Sequence, residues 1–134
     1  MPTFRAVLPA IGILGELGIA VALVVTLPKP HPTQVAGTVR CASGAPVQGV
    51  WIEGFSGGSS FADLSPDDRR SAEVSYAYTL PNGGKYQVRV GCGGTPGNWS
   101  KTVVSDYVDA GVHQFVCHDA PARDQAVTCV MQPR

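Results

Sequence analysis

One segment of this chain cannot belong to a small water-soluble fold. Between Ala6 and Leu27 every side chain is uncharged except Glu16, and the run is apolar almost throughout. A helix that is hydrophobic all round needs either a large protein interior or a membrane to surround it. A bilayer core accepts about 20 apolar residues as one helix. The sequence therefore divides into a cytoplasmic N-terminus (1–5), a transmembrane or signal-anchor helix (6–27), a proline-rich spacer (28–33) and an extracellular domain (34–134).

Two readings of the apolar segment compete. In one, Arg5 and the α-amino group form the basic start of a secretory signal, and Ala20-Val21-Ala22 offers the small-residue cleavage site. In the other the segment stays attached as a single-pass anchor. Leu23, Val24 and Val25 continue the apolar run past the candidate cut, which favours the anchor. The localisation expected is the cell membrane, with the C-terminal domain outside; cleavage would make the protein secreted. Glu16 costs on the order of 2.5–3.5 kcal/mol at mid-span. Beside it Gly12, Gly15 and Gly18 would let another helix approach closely, so Glu16 is a candidate contact with a membrane partner. The alternative is an acid that is merely tolerated, neutral or reaching for water.

Arg5 and Lys29 flank the segment almost symmetrically, so basic residues do not orient it. Cysteines do. All four, Cys41, Cys92, Cys117 and Cys129, follow the apolar run, as expected of a domain in an oxidising compartment. Ten basic residues balance ten acidic ones, giving a formal charge of zero. Nucleic-acid binders carry a basic excess on one face, so that class of partner is set aside.

From Gln34 the pattern changes to alternation, the signature of half-buried strands. Val35, Gly37, Val39 and Cys41 share one face; Val50 and Ile52 lie on one face of 47–55; Val74, Tyr76, Tyr78 and Leu80 alternate, as do Tyr86, Val88, Val90 and Cys92. Further strands are expected over 102–108, 112–117 and 126–131. Pro81-Asn82-Gly83-Gly84 is a turn, because Asn and Gly accept positive φ. These seven short strands with turn signals between them predict an all-β domain, a seven-stranded antiparallel β-sandwich of Ig-like type. Within the 55–73 insertion, Ser65-Pro66-Asp67-Asp68 has the composition of a helix start and predicts one or two helical turns.

The faces also suggest how the cysteines pair. Cys41 and Cys92 both lie on core-facing sides of their strands, whereas Cys117 and Cys129 can meet across a hairpin. Pairing Cys41–Cys92 and Cys117–Cys129 is the expectation among three connectivities. The longer loop would contribute about 4 kcal/mol and the shorter about 3 by chain-entropy arithmetic.

Three stretches carry a family resemblance: Gly37-Thr38-Val39, Ser43-Gly44-Ala45-Pro46-Val47-Gln48-Gly49-Val50, and Leu80-Pro81-Asn82-Gly83-Gly84-Lys85-Tyr86-Gln87-Val88-Arg89-Val90. Together they resemble the carboxypeptidase regulatory-like family, whose domains are transthyretin-like (prealbumin-like) Greek-key sandwiches of seven strands. The match covers residues 35 to 92. It implies a non-catalytic accessory module, often on a cell surface, with no shared catalytic residues. The layout is also similar to small anchored surface proteins of high-GC Gram-positive bacteria. The four cysteines and Gly91-Cys92-Gly93-Gly94 depart from the family pattern.

Chemical motifs are weak. Gly54-Phe55-Ser56-Gly57-Gly58 matches G-x-S-x-G, but a nucleophile elbow needs a helix after the serine, and Gly57-Gly58-Ser59-Ser60 propagates none. No C-x-x-C pair is present, and Asp63, Asp67, Asp68 and Glu73 lack the fixed spacing of a calcium loop. Gly91 to Gly97 lacks the G-K-[ST] ending of a phosphate loop and reads as a turn pinned by a cystine. Neither an enzyme, a metal site nor a cofactor is expected. The expected role is an anchored extracellular module that contacts a membrane or envelope protein, with glycan binding as the alternative. Trp51, predicted to point away from the core, together with Trp99 and Tyr107, forms the candidate binding set.

Overall fold

The computed structural model describes residues 31–123 and 125–133. The 6–27 segment with Glu16, the 1–5 terminus and residues 28–30 of the spacer lie outside the described residues. Among the described residues no helix is long and apolar enough to cross a membrane.

The domain is all-β. In chain order the strands are β1 (Thr33–Cys41), β2 (Val47–Gly54), β3 (Ser59–Phe61), β4 (Asp63–Ser65), β5 (Glu73–Leu80), β6 (Lys85–Thr95), β7 (Asn98–Ser105), β8 (Val108–Asp109), β9 (Val112–Cys117) and β10 (Thr128–Met131). Each of the seven segments expected to be a strand overlaps one, as β1, β2, β5, β6, β7, β9 and β10, but the described residues form ten strands rather than seven, and the strand expected over 102–108 runs over Asn98–Ser105. Alternation works here because each of these strands buries one face: Val35, Val39, Val50, Ile52, Val88 and Val90 are fully buried.

The sheet runs β3-β2-β6-β7-β10-β9-β1-β5-β4, with β8 added beside β6. Its two ends are formed by one short piece of chain. Phe61 of β3 pairs with Trp51 of β2, and two residues later Asp63 of β4 pairs with Ala77 of β5. The Ala62 N–H, between them, donates to the Val50 carbonyl at 2.9 Å. A single segment thus spans the two edges, and the expected two-layer sandwich is instead one sheet rolled into a nearly closed barrel. Closure also leaves few unpaired strand edges in water.

Two further expectations are corrected. Pairing is not antiparallel throughout, because β9 lies parallel to β1 and β10 parallel to β7. Alternation sets which face a strand buries, not the direction of its neighbours. No helix begins at Ser65-Pro66-Asp67-Asp68. Ser65 pairs with Ser75 as the last residue of β4, and the Ser65–Pro66 peptide is cis. Sheet pairing holds Ser65 extended and overrides the local capping signal.

Both disulfides form as the faces suggested. Cys41–Cys92 crosses the interior with Cα atoms 5.9 Å apart and a sequence separation of 51. Cys117–Cys129 joins directly opposed residues of the β9–β10 hairpin.

Candidate functional site

The outer wall of the barrel carries a row of directly opposed residues across four strands. Phe61 on β3 faces Trp51 on β2, Trp51 faces Arg89 on β6, and Arg89 faces Val104 on β7. Trp51 points outward for the reason visible in the sequence: its neighbours Val50 and Ile52 are fully buried. In the adjacent row two glycines, Gly49 and Gly91, oppose one another. They leave a trough, and the indole of Trp99 fills it. A Cβ added at Gly91 would lie 2.1 Å from the ring, and one at Gly49 would lie 2.6 Å from it.

Trp99 therefore does not ride on a loop, as its Gly- and Pro-rich surroundings suggest. It is the second residue of β7, laid flat against the sheet, with its Nε1–H donating to the Pro96 carbonyl at 3.1 Å. The stretch expected to be a pinned turn is largely strand, since β6 continues to Thr95. Trp51 is fixed similarly, its Nε1–H donating to Glu53 Oε1 at 3.0 Å. Phe61 stands between the two tryptophans, edge-on to both, with ring centroids 5.0 Å from Trp51 and 6.1 Å from Trp99. It is 58% exposed.

Trp51, Glu53, Phe61, Arg89 and Trp99 line an open depression of about 340 Å³. Both indole N–H groups are already satisfied within the domain. What the depression offers a ligand is aromatic surface, the Arg89 guanidinium and the Glu53 carboxylate. That combination suits an apolar body with polar groups at its rim. No family model, curated protein or solved structure matches this chain. The reading of the site rests on its geometry.

Of the sequence candidates, Trp51 and Trp99 come together, and Tyr107 does not join them. Tyr107 packs instead against Phe55, edge-on at 5.4 Å, at one end of the barrel. Phe61, Glu53 and Arg89 were not singled out by sequence. The available signal was faint: Glu53 shares the parity of Trp51, Arg89 lies on the polar face of its strand, and Phe61 sits alone among serines.

The motif residues lie elsewhere. Ser56 occupies a turn between β2 and β3, so its G-x-S-x-G stretch runs from strand to turn to strand. His113 Nε2 is 2.8 Å from the Asp109 carbonyl oxygen. Among the described residues the one compact His/Cys/Asp/Glu grouping is Cys41, Cys92 and Asp119. Its two sulfur atoms are joined to each other, and so are unavailable as thiolate ligands. Asp119 is buried and accepts hydrogen bonds from the Ser43 hydroxyl and, at 3.0 Å, from the Ser43 N–H. Burial pushes its carboxyl upward, but these bonds, its own N–H and His118 outweigh burial and leave it below the usual aspartate range.

The inner wall holds a second polar feature. Tyr76 of β5 and Tyr86 of β6 meet in the core with hydroxyls 2.8 Å apart. Burial raises both phenols above their ordinary value of 10.0. The hydrogen bond between them adds to the rise at Tyr76 and opposes it at Tyr86.

Proposed function

We propose that this protein is a membrane-anchored extracellular recognition module without catalytic activity, which binds a membrane or envelope protein through the Trp51–Phe61–Trp99 face. One observation carries the reading: an exposed phenylalanine held between two tryptophans whose own polar groups are satisfied internally. Aromatic side chains and Arg in a well-packed setting are the residues that dominate binding energy at interfaces. Here the ordering cost is already met by the fold, because Trp99 is seated on glycines and Trp51 is tethered to Glu53.

The placement outside the membrane draws on the apolar run 6–27 and on two disulfides, which persist in oxidising compartments. We read Glu16 as the candidate contact with a partner helix. On its sequence motifs alone, we also read the domain as a relative of the carboxypeptidase regulatory-like, transthyretin-like family, with its sheet rolled into a nearly closed barrel.

A glycan is the second reading. Arg89 and Glu53 flank the rings with one donor group and one acceptor group, as a neutral polyhydroxy ligand requires. Pull-down from native membranes with the full chain and with Phe61→Ser tests the first reading, and retention on envelope polysaccharide tests the second. A partner captured equally by both chains would sink the assignment of this face. Retention on polysaccharide that depends on Phe61, with no protein captured, would replace the first reading by the second.

A further inference from the structure

The end of the barrel at which the chain enters carries its own exposed aromatic pair. Thr33 opens β1 opposite Leu80, and its hydroxyl donates to the His31 carbonyl at 3.2 Å. The turn 81–84 packs beside this entry point, since a Cβ at Gly83 would lie 3.1 Å from both the His31 carbonyl oxygen and the Thr33 hydroxyl. The same turn is bound to the one after β2. Asn82 Nδ2 donates to the Ser56 carbonyl at 3.0 Å, and the Phe55 N–H to the Lys85 carbonyl at 2.9 Å. Entry point, both turns, Phe55 and Tyr107 therefore share one end of the domain.

Phe55 is 69% exposed, the most exposed of the large apolar side chains among the described residues, and Tyr107 beside it is 38% exposed. We infer that Phe55 and Tyr107 dock this end of the domain on the headgroup boundary of the lipid bilayer. The inference rests on the proposed anchor at 6–27. Five residues, 28–32, separate Leu27 from Thr33. Fully extended, the six residue steps from Leu27 to Thr33 reach at most about 22 Å, and the headgroup layer itself occupies about 5–8 Å on each side of the hydrocarbon core. An anchor ending at Leu27 thus keeps the entry end within a short distance of the lipid surface, whatever path the spacer takes. Tyrosine, with an apolar ring and a polar tip, is enriched at that depth. At this end Lys85 is paired with Asp109 at 2.8 Å and Asp106 directly precedes Tyr107, so the contact is hydrophobic in character and does not call for anionic lipid.

The test uses the full chain in phosphatidylcholine vesicles, with photoreactive p-benzoylphenylalanine introduced in place of Phe55 or, in a second preparation, Phe61. Both positions are exposed phenylalanines, one at the entry end and one on the sheet face. Lipid adducts at position 55 and not at 61, unchanged by added salt and reduced when Tyr107→Ser is combined with the probe, are expected. A chain that resists alkaline carbonate washing yet gives no adduct at 55, or equal adducts at both positions, overturns the docking alone. A chain washed off the vesicles overturns the anchor and the docking with it.

Discussion

Strand β6 sends aromatic chemistry to both sides of the same wall, and the two sides use it differently. Inside, Tyr86 meets Tyr76 hydroxyl to hydroxyl, and both are fully enclosed. Outside, Arg89 and Gly91 of the same strand support Trp51 and Trp99, whose polar atoms are satisfied while ring surface stays open. The inner pair is matched to itself and leaves nothing for a partner. The outer group is matched to the sheet along one side only. Enclosure makes aromatics structural; one-sided support makes them available.

The comparison can be broken most severely from the inside. Tyr86→Ala should cost about 3–5 kcal/mol, the range for removing a large buried ring, with a correspondingly lower melting temperature. On the outside, Trp99→Ala should cost about 2 kcal/mol, because only the face over Gly49 and Gly91 loses its packing. Gly91→Ala should lose a comparable amount by forcing the indole off the sheet. If chemical denaturation shows Trp99→Ala to be neutral, the ring is not seated as described.

A subtler pair of variants isolates the hydroxyls. Tyr76→Phe strands the Tyr86 hydroxyl without its partner and should cost about 1–3 kcal/mol, whereas the double Tyr76→Phe, Tyr86→Phe variant should come close to wild type. The same pair sets an alkaline limit. Both phenols stay protonated in the fold above the pH at which the unfolded chain releases its protons. Their contribution is therefore complete below pH 10. It falls above that pH by about 1.4 kcal/mol per pH unit for each tyrosine, until the folded groups titrate. Unfolding curves between pH 9 and 11 should steepen in wild type and flatten in the double variant; parallel curves would mean that the tyrosines do not carry the effect.

The smallest effect on stability is expected at Phe61. Phe61→Ser should change stability by no more than about 0.5 kcal/mol, because the ring is largely in water. It should abolish partner or polysaccharide retention all the same. A variant that melts early and still binds would move Phe61 to the structural side of the comparison.

The outer site was partly legible before folding. Trp51 points outward because Val50 and Ile52 must point inward, a consequence of strand period that needs no tertiary information. Trp99 was ambiguous, since Thr95-Pro96-Gly97 beside it reads as loop, and only the opposed pair Gly49 and Gly91 shows where its ring rests. Phe61 was invisible: β3 buries none of its three residues, so no alternation marks it. Its role follows from an edge-closing segment that the sequence presents as an insertion. Tyr107 was grouped with the tryptophans by residue type, and the fold sends it to the opposite task at the entry end.

The amino-acid sequence by itself marked seven of the ten strands, the faces they bury, the disulfide pairing favoured among three and the apolar N-terminal run. Each depends on spacing along the chain, and a one-residue shift would turn every core side chain toward water. Tertiary structure alone decided that the sheet rolls into a nearly closed barrel, that β9 and β10 find parallel neighbours, and that Ser65 extends rather than caps a helix. Those outcomes depend on which distant segments meet. Backbone groups at a sheet edge must find partners from whatever chain arrives there, and no local pattern records which segment that will be.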